Sequence, residues 1–145
     1  MTKTKIYFDM DGTIADFYGV EGWLDDLIAS NPRPYIEAKP LVDMDRLANE
    51  LNELQANGCE IGIISWLSKT GTEDFNKAVT LAKLEWLTKY LGTVEFDEIH
   101  IVKYGTPKET LGNGILFDDE EPNRKNWGKG AYQPKNIFRV LKRFH

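Results

Sequence analysis

Hydrophobic positions along this chain alternate between short continuous runs and longer stripes of helical period. Four runs read as strands: Lys5–Phe8, Cys59–Ile64, Glu98–Val102 and Gly114–Phe117. Cys59–Ile64 is apolar at nearly every position, as a strand covered on both faces would be. Between the runs, Gly22–Asn31 places Trp23, Leu24, Leu27 and Ile28 on one helical face, and Pro32-Arg33-Pro34 breaks that helix. Asp43–Gln55 carries the stripe Met44, Leu47, Leu51 and Leu54 and is stopped by Asn57-Gly58. A long helix follows over Thr72–Leu91, with Thr70 and Glu73 spaced as a capping box and Gly92 at its end. Thr106-Pro107-Lys108-Glu109 repeats the capping-box pattern and opens a short helix that Gly112 ends. The last helix, Asn136–Phe144, turns Ile137, Val140, Leu141 and Phe144 inward.

This alternation predicts an α/β fold: a three-layer, doubly wound, Rossmann-like parallel sheet in a single domain over residues 1–145. The segment from about 17 to 40 is too short for a separate cap domain and is expected to form a small lid insertion. Polar residues stand just beyond three of the strands: Asp9 and Asp11, then Ser65, then Asp118 and Asp119. In open α/β sheets ligands bind at that carboxyl edge.

Composition narrows the class. With 145 residues and 41% hydrophobic content the chain can bury one core. No apolar run reaches the roughly 18 residues needed to span a bilayer, and Met1–Lys5 is too polar to begin a secretory signal, so a cytoplasmic protein is expected. The single Cys59 cannot pair internally, and two histidines make a zinc cluster a poor fit. Charge is uneven. Seven Lys or Arg and no acid lie in Pro122–His145, leaving eleven basic and twenty-three acidic residues elsewhere. That tail reads either as a solvated face or as a rim that attracts anions.

Asp9 and Asp11 are two apart at a strand end, and Gly12 permits the tight turn beside them. An Asp-Gly step can also be only a turn. Asp118 and Asp119 repel each other unless a cation or proton intervenes, or they belong to a solvated acidic loop with Glu120 and Glu121. Four acids in one pocket would bind a hard divalent cation, and oxygen-only donors beside phosphate favour Mg²⁺. Ser65 could donate to a phosphoryl oxygen or simply end a strand. Lys108 sits in the first turn of a helix, where a bound anion would offset its unfavourable position. Lys103 competes for the same role.

Taken in order, Asp9-Met10-Asp11-Gly12-Thr13, Ser65, Lys108 and Asp118-Asp119 resemble the motif set of the haloacid dehalogenase superfamily. The opening Asp9–Phe17 and the stretch Lys83–Gly92 look like the 5′(3′)-deoxyribonucleotidase branch and related small phage or bacterial proteins. Glu120 departs from that branch, which carries arginine after its two aspartates. The resemblance implies a Mg²⁺-dependent phosphomonoester hydrolase of 5′-nucleotidase type. Its catalytic residues would be Asp9 as nucleophile, Asp11 as acid and base, and Ser65 and Lys108 on the phosphoryl oxygens. Asp9, Asp11, Asp118 and Asp119 would hold the metal, and Gly12, Thr13 and Trp66 would contact substrate. The substrate would be a small phosphorylated metabolite such as a (deoxy)nucleoside monophosphate. Phe17, Tyr18, Trp23, Tyr35 and Trp66 could stack on a base or pack the lid.

Three other readings compete. A receiver domain also combines acids, a hydroxyl and a lysine, but its phosphorylated aspartate ends the third strand, where this chain has Val102-Lys103. A catalytically silent binding module would keep the fold without turnover. A polynucleotide 3′-phosphatase would use the basic tail to hold a strand.

Overall fold

Ile6, Tyr7 and Phe8 are each no more than 1% exposed. Successive side chains of a strand point to opposite faces, so this burial requires cover on both sides of the sheet. In the computed structural model, which describes residues 3–145, these residues belong to β1 (Lys5–Phe8). The chain continues through β2 (Ala15–Asp16), α1 (Trp23–Ile28), α2 (Arg33–Glu37), β3 (Lys39–Pro40), α3 (Met44–Ala56), β4 (Glu60–Trp66) and α4 (Glu73–Leu91). It ends with β5 (Glu98–Val102), β6 (Ile115–Phe117), α5 (Glu121–Trp127), β7 (Ala131–Tyr132) and α6 (Ile137–Leu141).

Five strands form one sheet in the order β5-β4-β1-β6-β7, every pair parallel. On one face Ile6, Phe8, Ile63 and Phe117 pack beneath α3, α4 and α6 through Leu47, Leu51, Trp86 and Ile137. On the other, Tyr7, Ile64 and Leu116 lie under Leu111 and under Trp127 of α5. The Tyr7 and Trp127 rings meet edge to face, their centroids 5.8 Å apart. Helices thus cover both faces of a Rossmann-like parallel sheet, as the alternation of periods predicts. Among the described residues no helix is long and apolar enough to cross a membrane.

Several local expectations change. α1 ends at Ile28, ahead of Pro32-Arg33-Pro34 and with Ser30 at φ 55°, and Pro34 sits in the first turn of α2, where a missing N–H costs nothing. The apolar stripe of α1 is only half covered: Trp23 and Leu27 pack on Phe17 and Tyr35, while Leu24 and Ile28 are 54% and 75% exposed. Thr72, not Thr70, caps α4, its side chain accepting from the Phe75 N–H. There is no capping box at Thr106. Its hydroxyl donates to the Lys103 carbonyl, and Lys108–Thr110 forms only a 3-10 turn with Pro107 at its cap.

Residues 17–38 are closed at their base by the antiparallel pair β2–β3, with Ala15 opposite Pro40 and Asp16 opposite Lys39. Trp86 of α4 donates its indole N–H to the Ala38 carbonyl at 2.8 Å and ties that base to the core.

Candidate active site

The turn after β1 is built around one carbonyl. The amides of Thr13, Ile14 and Ala15 all donate to Met10 O at 2.9–3.0 Å, so the chain reverses tightly just beyond Asp9. Gly12 adopts φ +83°, and a Cβ there would lie 2.3 Å from Asp119 Oδ2. Glycine is needed twice over, for the left-handed backbone and for the close approach of the carboxylate. Asp9 is anchored to the adjacent strand as its N–H donates to Phe117 O at 2.9 Å.

The far-apart motif residues meet here. Lys108, 3% exposed, donates to Asp9 Oδ1 at 2.9 Å, to Asp118 Oδ2 at 2.7 Å and to the Ile64 carbonyl at 3.2 Å. Thr13 donates to Asp9 Oδ2 at 2.9 Å and lies 3.3 Å from Asp119 Oδ1, while its oxygen accepts from the Asp119 N–H at 3.1 Å. Asp118 is further held by the Glu120 N–H and by the Asn123 side chain. Carboxylate oxygens of Asp9, Asp118 and Asp119 lie within 4.8 Å of one another. Three carboxylates face one ammonium, an excess of negative charge in a buried place. An oxygen-only donor set of this kind can hold a hard divalent cation.

Titration follows from that crowding. Burial, and then Asp9, push the Asp118 carboxyl up to about 6 in spite of Lys108. Burial and the neighbouring Asp9 push Asp119 up to about 8. Burial lowers the Lys108 ammonium, but Asp9 and Asp118 outweigh it and hold it above its ordinary value. Asp11 is raised above the usual carboxylate range, chiefly by burial, with Lys83 opposing the shift.

Asp9, Asp11, Lys108 and Asp119 line a cleft of about 620 Å³ at the carboxyl edge of the sheet. Trp66 lines it too, its ring centroid 4.9 Å from that of Tyr104 and its indole N–H donating to the Thr106 carbonyl at 2.8 Å. Opposite in sequence, residues 17–38 contribute Tyr18, Trp23, Leu24 and Ile28 to the lining. The exposed stripe of α1 is therefore a wall of the cleft. Gly12, Thr13 and Ser65 do not line it. Gly12 and Thr13 instead pack on and bond the aspartates, and Ser65, fully buried, accepts from Lys83 at 2.6 Å. Between the two candidate lysines, Lys108 reaches Asp9 and Asp118, whereas Lys103 is exposed.

One residue at the site went unnoticed in the sequence. Lys83 of α4 is 1% exposed and bonds Asp11 Oδ2 at 3.0 Å, Ser65 Oγ at 2.6 Å and the Trp66 carbonyl at 2.7 Å. A signal existed: Val79, Lys83, Trp86 and Leu87 fall on one helical face, so the lysine interrupts a stripe that should be core.

No protein-family model and no curated protein sequence matches the chain. Seven chains of solved structure do. One is the D,D-heptose 1,7-bisphosphate phosphatase from Burkholderia thailandensis, with a TM-score of 0.60 at 12% sequence identity, covering 98% of each chain. At that identity the likeness is one of fold, the α/β architecture described above.

Proposed function

We propose that the protein is a Mg²⁺-dependent phosphomonoester hydrolase that works through a phosphoaspartate on Asp9, in the manner of the haloacid dehalogenase superfamily. The observation that carries this reading is the convergence of Asp9, Asp119 and Lys108, which line the cleft, with Asp118 buried behind them. The neighbour of like fold is named as a phosphatase, which supports the reaction class by analogy at the level of fold.

In this reading Asp9, Asp118 and Asp119, with the Asp11 main-chain carbonyl, would hold Mg²⁺. When bound it would offset the repulsion between carboxylate and phosphate and polarise the phosphoryl oxygens. An Asp9 oxygen forms the bond to phosphorus as the ester P–O bond breaks, and the proton of the Asp11 carboxyl goes to the departing alkoxide. Asp11 then takes a proton from the water that attacks phosphorus, the Asp9–P bond breaks, and orthophosphate and free alcohol remain. Burial raises the Asp11 carboxyl, the direction that a proton donor requires. Lys108 balances charge gathering on the transferring group. Thr13 holds Asp9 Oδ2 and so fixes which carboxylate oxygen attacks.

The cleft wall favours a phosphate ester with a flat or apolar body. Trp66 and Tyr104 stand on one part of it and Tyr18 and Trp23 on another, as a small lid over residues 17–40 would place them. A (deoxy)nucleoside monophosphate fits that lining, its base set against aromatic faces.

Phosphate release from p-nitrophenyl phosphate and from a panel of nucleoside monophosphates, with Mg²⁺ and with chelator, tests the proposal. Asp9→Asn should lower turnover by at least about 10⁴-fold and stay folded by circular dichroism. Near-normal rates in that variant would remove Asp9 as nucleophile. No release from any ester by the wild-type protein with Mg²⁺ would favour a silent binding module.

A further inference from the structure

Lys83 is an ammonium on the buried face of a long helix, beside Val79, Trp86 and Leu87. Taking such a charge out of water is costly unless every donor is met. Here all three N–H groups have acceptors, and one acceptor is the Asp11 carboxylate. The Tyr35 ring lies 5.3 Å from Nζ and adds an apolar cover from residues 17–38. A helix position facing the core ordinarily carries an apolar side chain, so the lysine calls for a reason.

Two buried lysines divide the Asp9-Met10-Asp11 step between them. Lys108 lines the cleft and bonds Asp9. Lys83 does not line the cleft and bonds Asp11, which does. Its effect on a bound ester would therefore pass through Asp11. Asp11 Oδ2 faces an ammonium, so a proton on this carboxyl belongs on Oδ1. Donation into Ser65 Oγ likewise leaves the Ser65 hydroxyl hydrogen pointing away from Lys83.

We propose that Lys83 is a positioning residue: it pins Asp11 by Oδ2 so that Oδ1 presents the proton to the leaving oxygen of the ester. This rests on the phosphohydrolase reading above. The step concerned is the first one, in which the Asp9–P bond forms, the ester P–O bond breaks and the Asp11 proton passes to the departing oxygen.

A comparison of leaving groups separates this role from a structural one. A p-nitrophenolate departs without a proton, whereas the alkoxide of benzyl phosphate, a substrate of similar size, needs one. The ratio kcat/KM reports the steps through cleavage of the ester bond. Lys83→Met should lower kcat/KM for benzyl phosphate at least about tenfold more than for p-nitrophenyl phosphate, within the span that positioned proton transfer contributes. Asp11→Asn should show the same selectivity, and the double variant should lose little beyond Asp11→Asn alone. Lys83→Arg, which keeps the charge and the donors, should recover part of the benzyl rate. If Lys83→Met proves unfolded by circular dichroism, Lys83→Gln is judged by the same ratio. Equal losses on both esters, or losses that multiply in the double variant, overturn the role of Lys83 while leaving Asp9 as nucleophile. An Asp9→Asn variant that still turns over overturns the parent reading and this inference with it.

Discussion

Replacing Lys108 by methionine is the most searching test of the carboxylate cluster, because one ammonium serves two buried acids. Its contacts at 2.9 Å to Asp9 and 2.7 Å to Asp118 are each worth about 6 kcal/mol in gross Coulomb energy at an effective dielectric of about 20. Most of that offsets desolvation, and removing one partner of a buried ion pair costs about 3–5 kcal/mol net. Near this chain length a kcal/mol moves the melting temperature by roughly 3 °C, so Lys108→Met should melt about 10–15 °C below wild type near neutral pH. Two further signs identify the cause. The loss should shrink at about pH 5, where Asp118, with its carboxyl near 6, accepts a proton and relieves the uncompensated charge. Mg²⁺ should raise the melting temperature of the variant more than that of wild type, since a dication replaces the missing ammonium. Thermal unfolding followed by circular dichroism, with and without Mg²⁺ at both pH values, reads all three. A variant melting within about 2 °C of wild type at neutral pH would refute the claim that Lys108 holds the cluster together.

Other consequences can be checked separately. Asp118 and Asp119 keep their protons more tightly folded than unfolded, so their contribution to stability is full below about pH 4 and is lost as pH climbs through about 6 and 8. The metal-free protein should lose melting temperature across that window while Mg²⁺ affinity rises with proton release, measurable by calorimetry in two buffers; affinity that falls with pH would count against these ligands. Gly12→Ala puts a methyl group 2.3 Å from Asp119 Oδ2 on a left-handed backbone, which should cost about 1–3 kcal/mol and weaken Mg²⁺ binding at least tenfold. Unchanged binding by titration calorimetry would show that Asp119 is free to move. Trp86→Phe removes the donor to the buried Ala38 carbonyl and should cost about 1–3 kcal/mol, with faster hydrogen exchange concentrated in residues 17–40. Exchange that rises evenly over the whole chain would mean the bond does not tie that segment to the core.

How much of this was legible depends on period and length. β1 and β5 emerge with the bounds that their apolar runs suggest, and the stripe of α3 is buried as its spacing requires. Two-residue strands carry no period, so β2, β3 and β7 left no trace in the hydrophobic pattern. α5 begins within what read as an acidic loop and continues into basic residues, with only Asn123 buried, so no apolar stripe marked it. The helix over Trp23–Ile28 is visible through its apolar stripe, which does not say what the stripe packs against. Its stripe is real, but Trp23 and Leu27 pack on the Phe17–Tyr35 cluster while Leu24 and Ile28 face a cleft. Periodicity reports that a face is apolar and is silent about what covers it.

Charge in an apolar stripe is the converse case. Asp9, Asp11 and Asp118-Asp119 were conspicuous because acids at strand ends break a hydrophobic run where ligands bind. Lys83 breaks a run as well, but midway along a helix, where a long stem can lie on the core and carry its charge to the surface. It does the opposite, remaining 1% exposed and spending all three donors inside the protein. A buried lysine is stable only if acceptors are already fixed in place, and here they come from β4 and the turn after β1. The helix that follows β4 is therefore docked to the turn after β1 by a charge as well as by packing. Any change that loosens Asp11 should loosen α4, and any change that shifts α4 should move Asp11.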